Sequence, residues 1–196
     1  MLDTIAENQP DRRPAILVCA FETSDPLWSS FDAEAWSPLG ARIRATAPND
    51  PAALVDLITA QLQDADCRAV LLVGRTKKSD GFRVQMRAEN RDLNGGGKLS
   101  QTGPGLARAT APAADMIRAL TDAGLTAEAT SDGEDDAGSY LLYRILTALP
   151  DDADVPSVGL LRAPTSMDKQ QVRLGVETAV AAMARHLSPL PRARLS

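Results

Sequence analysis

The apolar positions fall into blocks of two periods. AILVCAF (15–21) is apolar throughout and AVLLVGR (69–75) nearly so, the pattern of strands covered on both faces. SVGLLRAP (157–164) and LTAEATS (125–131) predict two more strands, and ARIRATA (41–47) a weaker one. FRVQMRAE (82–89) alternates strictly, which predicts one strand with Phe82, Val84, Met86 and Ala88 on one side. Arg83, Gln85, Arg87 and Glu89 then face the other side.

Between these blocks the period lengthens to that of a helix. NDPAALVDLITAQLQDAD (49–66) carries Leu54, Leu57, Ile58 and Leu62 at helical spacing. Asp50 is placed to cap it and Pro51 to open it. A helix over 109–123 presents Met116, Ile117 and Leu120 and stops at Gly124. SYLLYRILTAL (139–149) is a third helix. The last, about 167–187, aligns Val172, Val176, Ala179, Val180, Met183 and Leu187. Strands alternating with helices predict one α/β domain over 15–187, three-layered around a mostly parallel sheet, with polar tails at 1–14 and 188–196. Ligands on such sheets sit beyond strand C-termini, here just after Phe21, Arg75, Ser131 and Arg162.

Composition narrows the function. A net charge of −5 argues against a generally basic nucleic-acid binder. No apolar run reaches the roughly 18 residues of a membrane span, and MLDTIAENQPDRRP has no signal-peptide core. Two cysteines and one histidine make neither a disulfide framework nor a zinc site, so a cytoplasmic protein without metal or cofactor is expected.

The order of ILVCAFETSDP, LLVGR, VQMRAEN, LTAEATSDGEDDAGSYLLYRIL and VGLLRAP resembles pyroglutamyl peptidase I from residue 15 to about 187. The resemblance implies that family's fold and a Cys-His-Glu triad that removes N-terminal pyroglutamate. The family carries its glutamate in E-x-x-A-x-N, its nucleophile in S-x-x-x-G-T-Y-x-C-N and its base in G-F-I-H-x-P. Carried over, these positions fall on Gln85, Leu142 and Arg162. Leucine is no nucleophile, arginine stays protonated, and glutamine lacks the charge that orients an imidazole. The family's GFEPFG reads AFETSD here, keeping Phe21 but placing Ser24 where a second aromatic would wall the ring. Three losses inside words that otherwise align imply loss of the family reaction.

The first functional expectation is therefore a non-catalytic binding or scaffold protein, with Phe21, Arg83, Arg87, Asn90 and Arg162 as candidate ligand-binding residues. A permanent cation at 162, beside Arg83 or Arg87, suggests an anionic small molecule or peptide in the former cleft. Residues 75–98 add a local excess of four positive charges. Pairing of Arg162 with a nearby acid, such as Asp151 or Asp152, would remove that argument. The alternative is a hydrolase of N-terminal pyroglutamyl or related amides using relocated groups, Cys19 or Ser139 with Glu89. Cys19 also reads as a buried strand residue, Cys67 as a residue without site context, and His186 as a helix-terminal cation. NGGGKLSQTGPG (94–105) lacks phosphate-loop spacing and reads as a flexible loop. A homo-oligomer is a further expectation.

Overall fold

A computed structural model describes residues 13–22, 37–46, 50–93, 97–150 and 154–187. Both predicted tails for the most part, Ser24, residues 94–96 and the pair Asp151 and Asp152 lie outside the described residues.

Strands β1 (Ala15–Ala20), β2 (Arg42–Thr46), β3 (Cys67–Thr76), β4 (Phe82–Gln85), β7 (Ala127–Thr130) and β8 (Ser157–Pro164) form one sheet, in the order β2-β1-β3-β8-β4-β7. Four of its five pairings are parallel; β4 runs antiparallel to β8, with Arg83 opposite Arg162. Helices α1 (Pro51–Gln63) and α3 (Ala137–Ala148) cover one face, α2 (Ala113–Asp122) and α4 (Lys169–Ala184) the other. This is the three-layer α/β domain that the pattern predicts.

Alternation along the long strands feeds two cores. Ile16, Val18, Leu71, Val73 and Leu161 meet α2 and α4; Leu17, Cys19, Val70, Leu72 and Leu160 meet α1 and α3. Local signals hold at the helix ends. The Asp50 carboxylate accepts from the amides of Ala52 and Ala53, and Gly124 adopts φ +79° just beyond α2, a left-handed turn that glycine enters without Cβ strain.

Three expectations change. FRVQMRAE is not one strand. After Gln85 the backbone leaves the main sheet, and β5 (Arg87–Glu89) pairs antiparallel with β6 (Leu106–Arg108) in a small second sheet. The break shifts the phase, so Ala88 joins the α1/α3 core while Phe82 and Val84 join the other, and Met86 is 40% exposed. Leu57, expected in the core, is half-exposed; Val55 takes the buried place. The described part of the 94–105 loop is tied down. Asn90 Nδ2 donates to the Ser100 carbonyl at 2.7 Å, its Oδ1 accepts from the Ser100 amide at 2.9 Å, and Tyr143 Oη donates to the Pro104 carbonyl at 2.7 Å.

The antiparallel β4–β8 pairing also reverses the direction of the strand that leads to Ser131. β7 runs with β4, against β8, and its last residue, Thr130, is level with Gln85 and with Leu160 in the middle of β8. From there the chain runs to α3 and brings Glu134 and Asp136 to Arg162.

Candidate functional site

Arg162 lies on β8 on the face of Val158 and Leu160, under α3. Its side chain is fully buried, a position a guanidinium holds only when paired and hydrogen-bonded. Asp136 meets it with both carboxylate oxygens, through Nη1 and, at 2.8 Å, through Nη2. Nη2 also donates to Ser139 Oγ at 3.1 Å and to Gln85 Oε1 at 3.2 Å. Nε lies 3.6 Å from Glu134 Oε1. The guanidinium carbon sits 5.9 Å from the centroid of the Phe21 ring, within cation–π range.

Phe21 is itself clamped. A Cβ on Gly74 of β3 would stand 2.2 Å from its ring, and one on Gly138 of α3 2.4 Å. Only glycine at both positions lets the ring lie between strand and helix. Phe21 is 4% exposed, so it is the floor under the guanidinium rather than the wall of an open ring pocket.

A second arginine extends the network. Arg83 Nη1 donates to Glu134 Oε1 at 3.2 Å, Nη2 donates to Thr130 Oγ1 at 2.6 Å, and Thr76 Oγ1 donates to the same Glu134 oxygen at 2.7 Å. Two guanidiniums thus face the carboxylates of Glu134 and Asp136, and Glu128 adds a third, more exposed one 3.4 Å from Arg83 Nε. Asp136 also caps α3, its Oδ1 accepting from the Ser139 amide at 3.0 Å.

The three positions implied by the resemblance meet different fates. Gln85 and Arg162 come together, Oε1 toward the guanidinium and Nε2 donating to the Arg87 carbonyl at 2.9 Å. Leu142 is buried in the α1/α3 core among Leu141, Tyr143 and Ile145. Asp136 and Glu134, the counterions of Arg162 and Arg83, are the residues of this network that sequence reasoning missed. The signal was there, in a helix-capping aspartate three residues before Ser139 and an acidic turn beside it.

The remaining candidates are placed as follows. Arg87 Nε donates to the Ser131 carbonyl at 3.0 Å, and Asn90 clamps the loop instead of facing the network. Arg75 donates to the carbonyls of Thr165 and Met167, and Arg91 pairs with Asp135 at 2.5 Å. The expected basic face is therefore largely consumed by internal contacts. Ser139 Oγ accepts from the Glu134 amide and from Arg162; the acceptor in its reach is Gln85 Oε1 at 3.4 Å, an amide oxygen that is no general base. Glu89 pairs with Arg91 at 3.3 Å. The Cys19 thiol is buried, and desolvation pushes its pKa up to about 12; burial raises that of Cys67 as well. His186 Nε2 sits 2.8 Å from Asp115 Oδ2, tying the end of α4 to α2 on the opposite face of the sheet from Cys19 and Ser139. The structure does not assemble a nucleophile with a usable base from these groups.

Beside the network lies an open cleft of about 410 Å³, between residues 89–93 and 132–140. Glu89, Asp92, Asp132, Glu134, Asp135 and Asp136 line it, against Lys78 and Arg91. Among the described residues, no cluster of His, Cys, Asp and Glu is positioned to hold a metal ion, and no helix is long and apolar enough to cross a membrane.

Compared with solved structures, the chain overlays 88% of its length on pyroglutamyl peptidase I from Bacillus amyloliquefaciens, covering 95% of that chain at TM-score 0.76 and 12% identity. The fold is that of pyroglutamyl peptidase I. The pyrrolidone carboxyl peptidase of Thermus thermophilus gives TM-score 0.70 at 20% identity, over 85% of this chain and 99% of that one. That of Thermococcus litoralis gives 0.75 at 15%, over 88% and 94%. No family profile matches the sequence, and no curated protein matches it either. The peptidase fold is thus carried by a sequence only 12%, 20% and 15% identical to those of these three structural neighbours.

Proposed function

We propose that the chain is a non-catalytic binding protein on the pyroglutamyl peptidase fold. The observation that carries this reading is the fully buried Arg162, clasped by Asp136 where the resemblance puts a histidine base. An ion network whose hydroxyl, Ser139, has only an amide oxygen as acceptor stabilises a closed centre and moves no proton. The buried Cys19, held as a neutral thiol, supports the same reading.

The binding surface is the adjoining cleft, and its sign is the reverse of the one the sequence suggests. The motive for an anionic occupant was a free cation at 162; that guanidinium is paired, and once Glu89, Glu134, Asp135 and Asp136 are set against their arginines the cleft lining retains Asp92 and Asp132 against Lys78. A ligand bearing an ammonium or guanidinium group fits this lining, while a polycarboxylate does not.

Hydrolysis of a fluorogenic pyroglutamyl amide by the purified chain, before and after thiol alkylation, tests the loss of activity. No turnover above the buffer blank is expected. Turnover abolished by alkylation would make Cys19 or Cys67 a working nucleophile and end this reading. Thermal shifts with spermidine and with citrate test the sign of the cleft: spermidine is expected to raise the Tm and citrate to leave it unchanged.

A further inference from the structure

Residues 131–136, Ser-Asp-Gly-Glu-Asp-Asp, run from β7 to α3 across the buried network. Their fastenings to the rest of the fold pass through side chains. Arg87 holds the Ser131 carbonyl, Thr76 and Arg83 hold Glu134, Arg91 holds Asp135 and Arg162 holds Asp136. The segment's own amides bond locally: Asp132 N–H to Thr130 Oγ1 at 3.1 Å, Glu134 N–H to Ser139 Oγ at 3.1 Å, and Asp136 N–H to the Glu134 carbonyl at 2.9 Å. Among the described residues no ladder of backbone hydrogen bonds joins 131–136 to a strand.

A segment attached this way differs from a strand. Ladder hydrogen bonds are indifferent to salt, whereas ion pairs weaken as salt shortens the Debye length, most at exposed positions. Arg91 and Asp135 are such a position, with side chains 48% and 76% exposed. They also join the two walls of the cleft, since Arg91 belongs to one and Asp135 to the other.

We propose that residues 131–136 form an electrostatic gate over the former catalytic face, opening as one unit, with the Arg91–Asp135 pair as its outer latch. Ionic strength acts on the opening through that latch, because the Arg162–Asp136 and Arg83–Glu134 pairs behind it are buried and little screened. Its use, control of access to the cleft, rests on the binding reading above; its opening does not.

Hydrogen exchange of the full chain, resolved by NMR, tests the gate in the wild type and in Arg91→Gln, at about 0.01 M and about 1 M NaCl, where the Debye length falls from about 30 to about 3 Å. The reporters are the amides of Asp132, Glu134 and Asp136; those of Val70 to Val73 in β3 are the control. The three reporters are expected to exchange at one common rate, faster than β3, and to speed up with salt. Arg91→Gln is expected to accelerate them roughly two- to fivefold at low salt, the range for one exposed pair, and to reduce the salt dependence. Reporters as protected as β3, or a salt dependence unchanged in Arg91→Gln, would overturn the gate. Neither result bears on the pyroglutamyl amide assay. Turnover in that assay would end the non-catalytic reading and leave the gate standing.

Discussion

Replacing Arg162 by methionine keeps an unbranched chain in the core and removes the charge. The consequences can be worked contact by contact. Glu134, 13% exposed, keeps Arg83 and Thr76. Asp136, 28% exposed, keeps the Ser139 amide and gains some water. Gln85 Oε1 is left with only the Ser139 hydroxyl. Breaking a buried pair from one side costs about 3–5 kcal/mol. Partial exposure of Asp136 puts this case at the lower end, about 3 kcal/mol, against a total stability of about 5–15 kcal/mol. With a urea m-value of about 2 kcal/mol/M, the unfolding midpoint falls by about 1.5 M. The second arm is Asp136→Asn, which retains the α3 cap because asparagine caps as well as aspartate. It therefore reports the ion pair and not the helix end. The double variant Arg162→Met with Asp136→Asn is expected to cost little more than the worse single one. Urea unfolding of all four proteins closes the cycle. Costs that add to within about 0.5 kcal/mol would refute the claim that this pair holds the centre together.

Two further outcomes follow from the same contacts. The Cys19 thiol is held neutral by burial, its pKa moved from 9.0 to about 12, so the native state binds a proton that the unfolded chain releases above pH about 9; the stabilisation is complete below that pH and lost as pH rises through the folded value, at up to about 1.4 kcal/mol per pH unit, a slope that urea titrations should show flattening in Cys19→Ala. Gly138→Ala should destabilise by about 1–3 kcal/mol through overpacking against the Phe21 ring, and Phe21→Leu should relieve most of that cost; equal losses with and without the ring, by thermal unfolding, would show that the clash is not the cause.

What the sequence disclosed follows from how local each determinant is. Continuous apolar runs set β1 and β3, and SVGLLRAP matches β8 residue for residue. Asp50, Pro51 and Gly124 act within one turn of themselves and fixed their helix ends. FRVQMRAE misled because alternation states the period, not the partner: at Met86 the amide still bonds to Thr130 while the carbonyl accepts from Ala109 of the segment after β6. No residue in the window announces that exchange. The 94–105 loop misled in the opposite way. Its glycines suggest freedom, but Asn90 and Tyr143, outside the loop, supply the hydrogen bonds that hold its described part.

The site illustrates the same division. Gln85 and Arg162 were legible as a pair because the resemblance singles out both, and the structure puts them within hydrogen-bond reach. Their counterions were not, although the charges were in view: residues 75–98 carry an excess of four positive charges, and Asp132, Glu134, Asp135 and Asp136 bring four negative ones. Taken separately, the first suggests an anion-binding face and the second a solvated turn. The antiparallel β4–β8 pairing makes them one object, since it sets Arg83 opposite Arg162 and the acidic turn between Ser131 and α3 lies against both. An arginine at the position of a catalytic base is therefore no sign of an anionic ligand until its neighbours on the sheet are known. Here topology supplies the anion from within the chain, and Asp92 and Asp132 line the open cleft beside it.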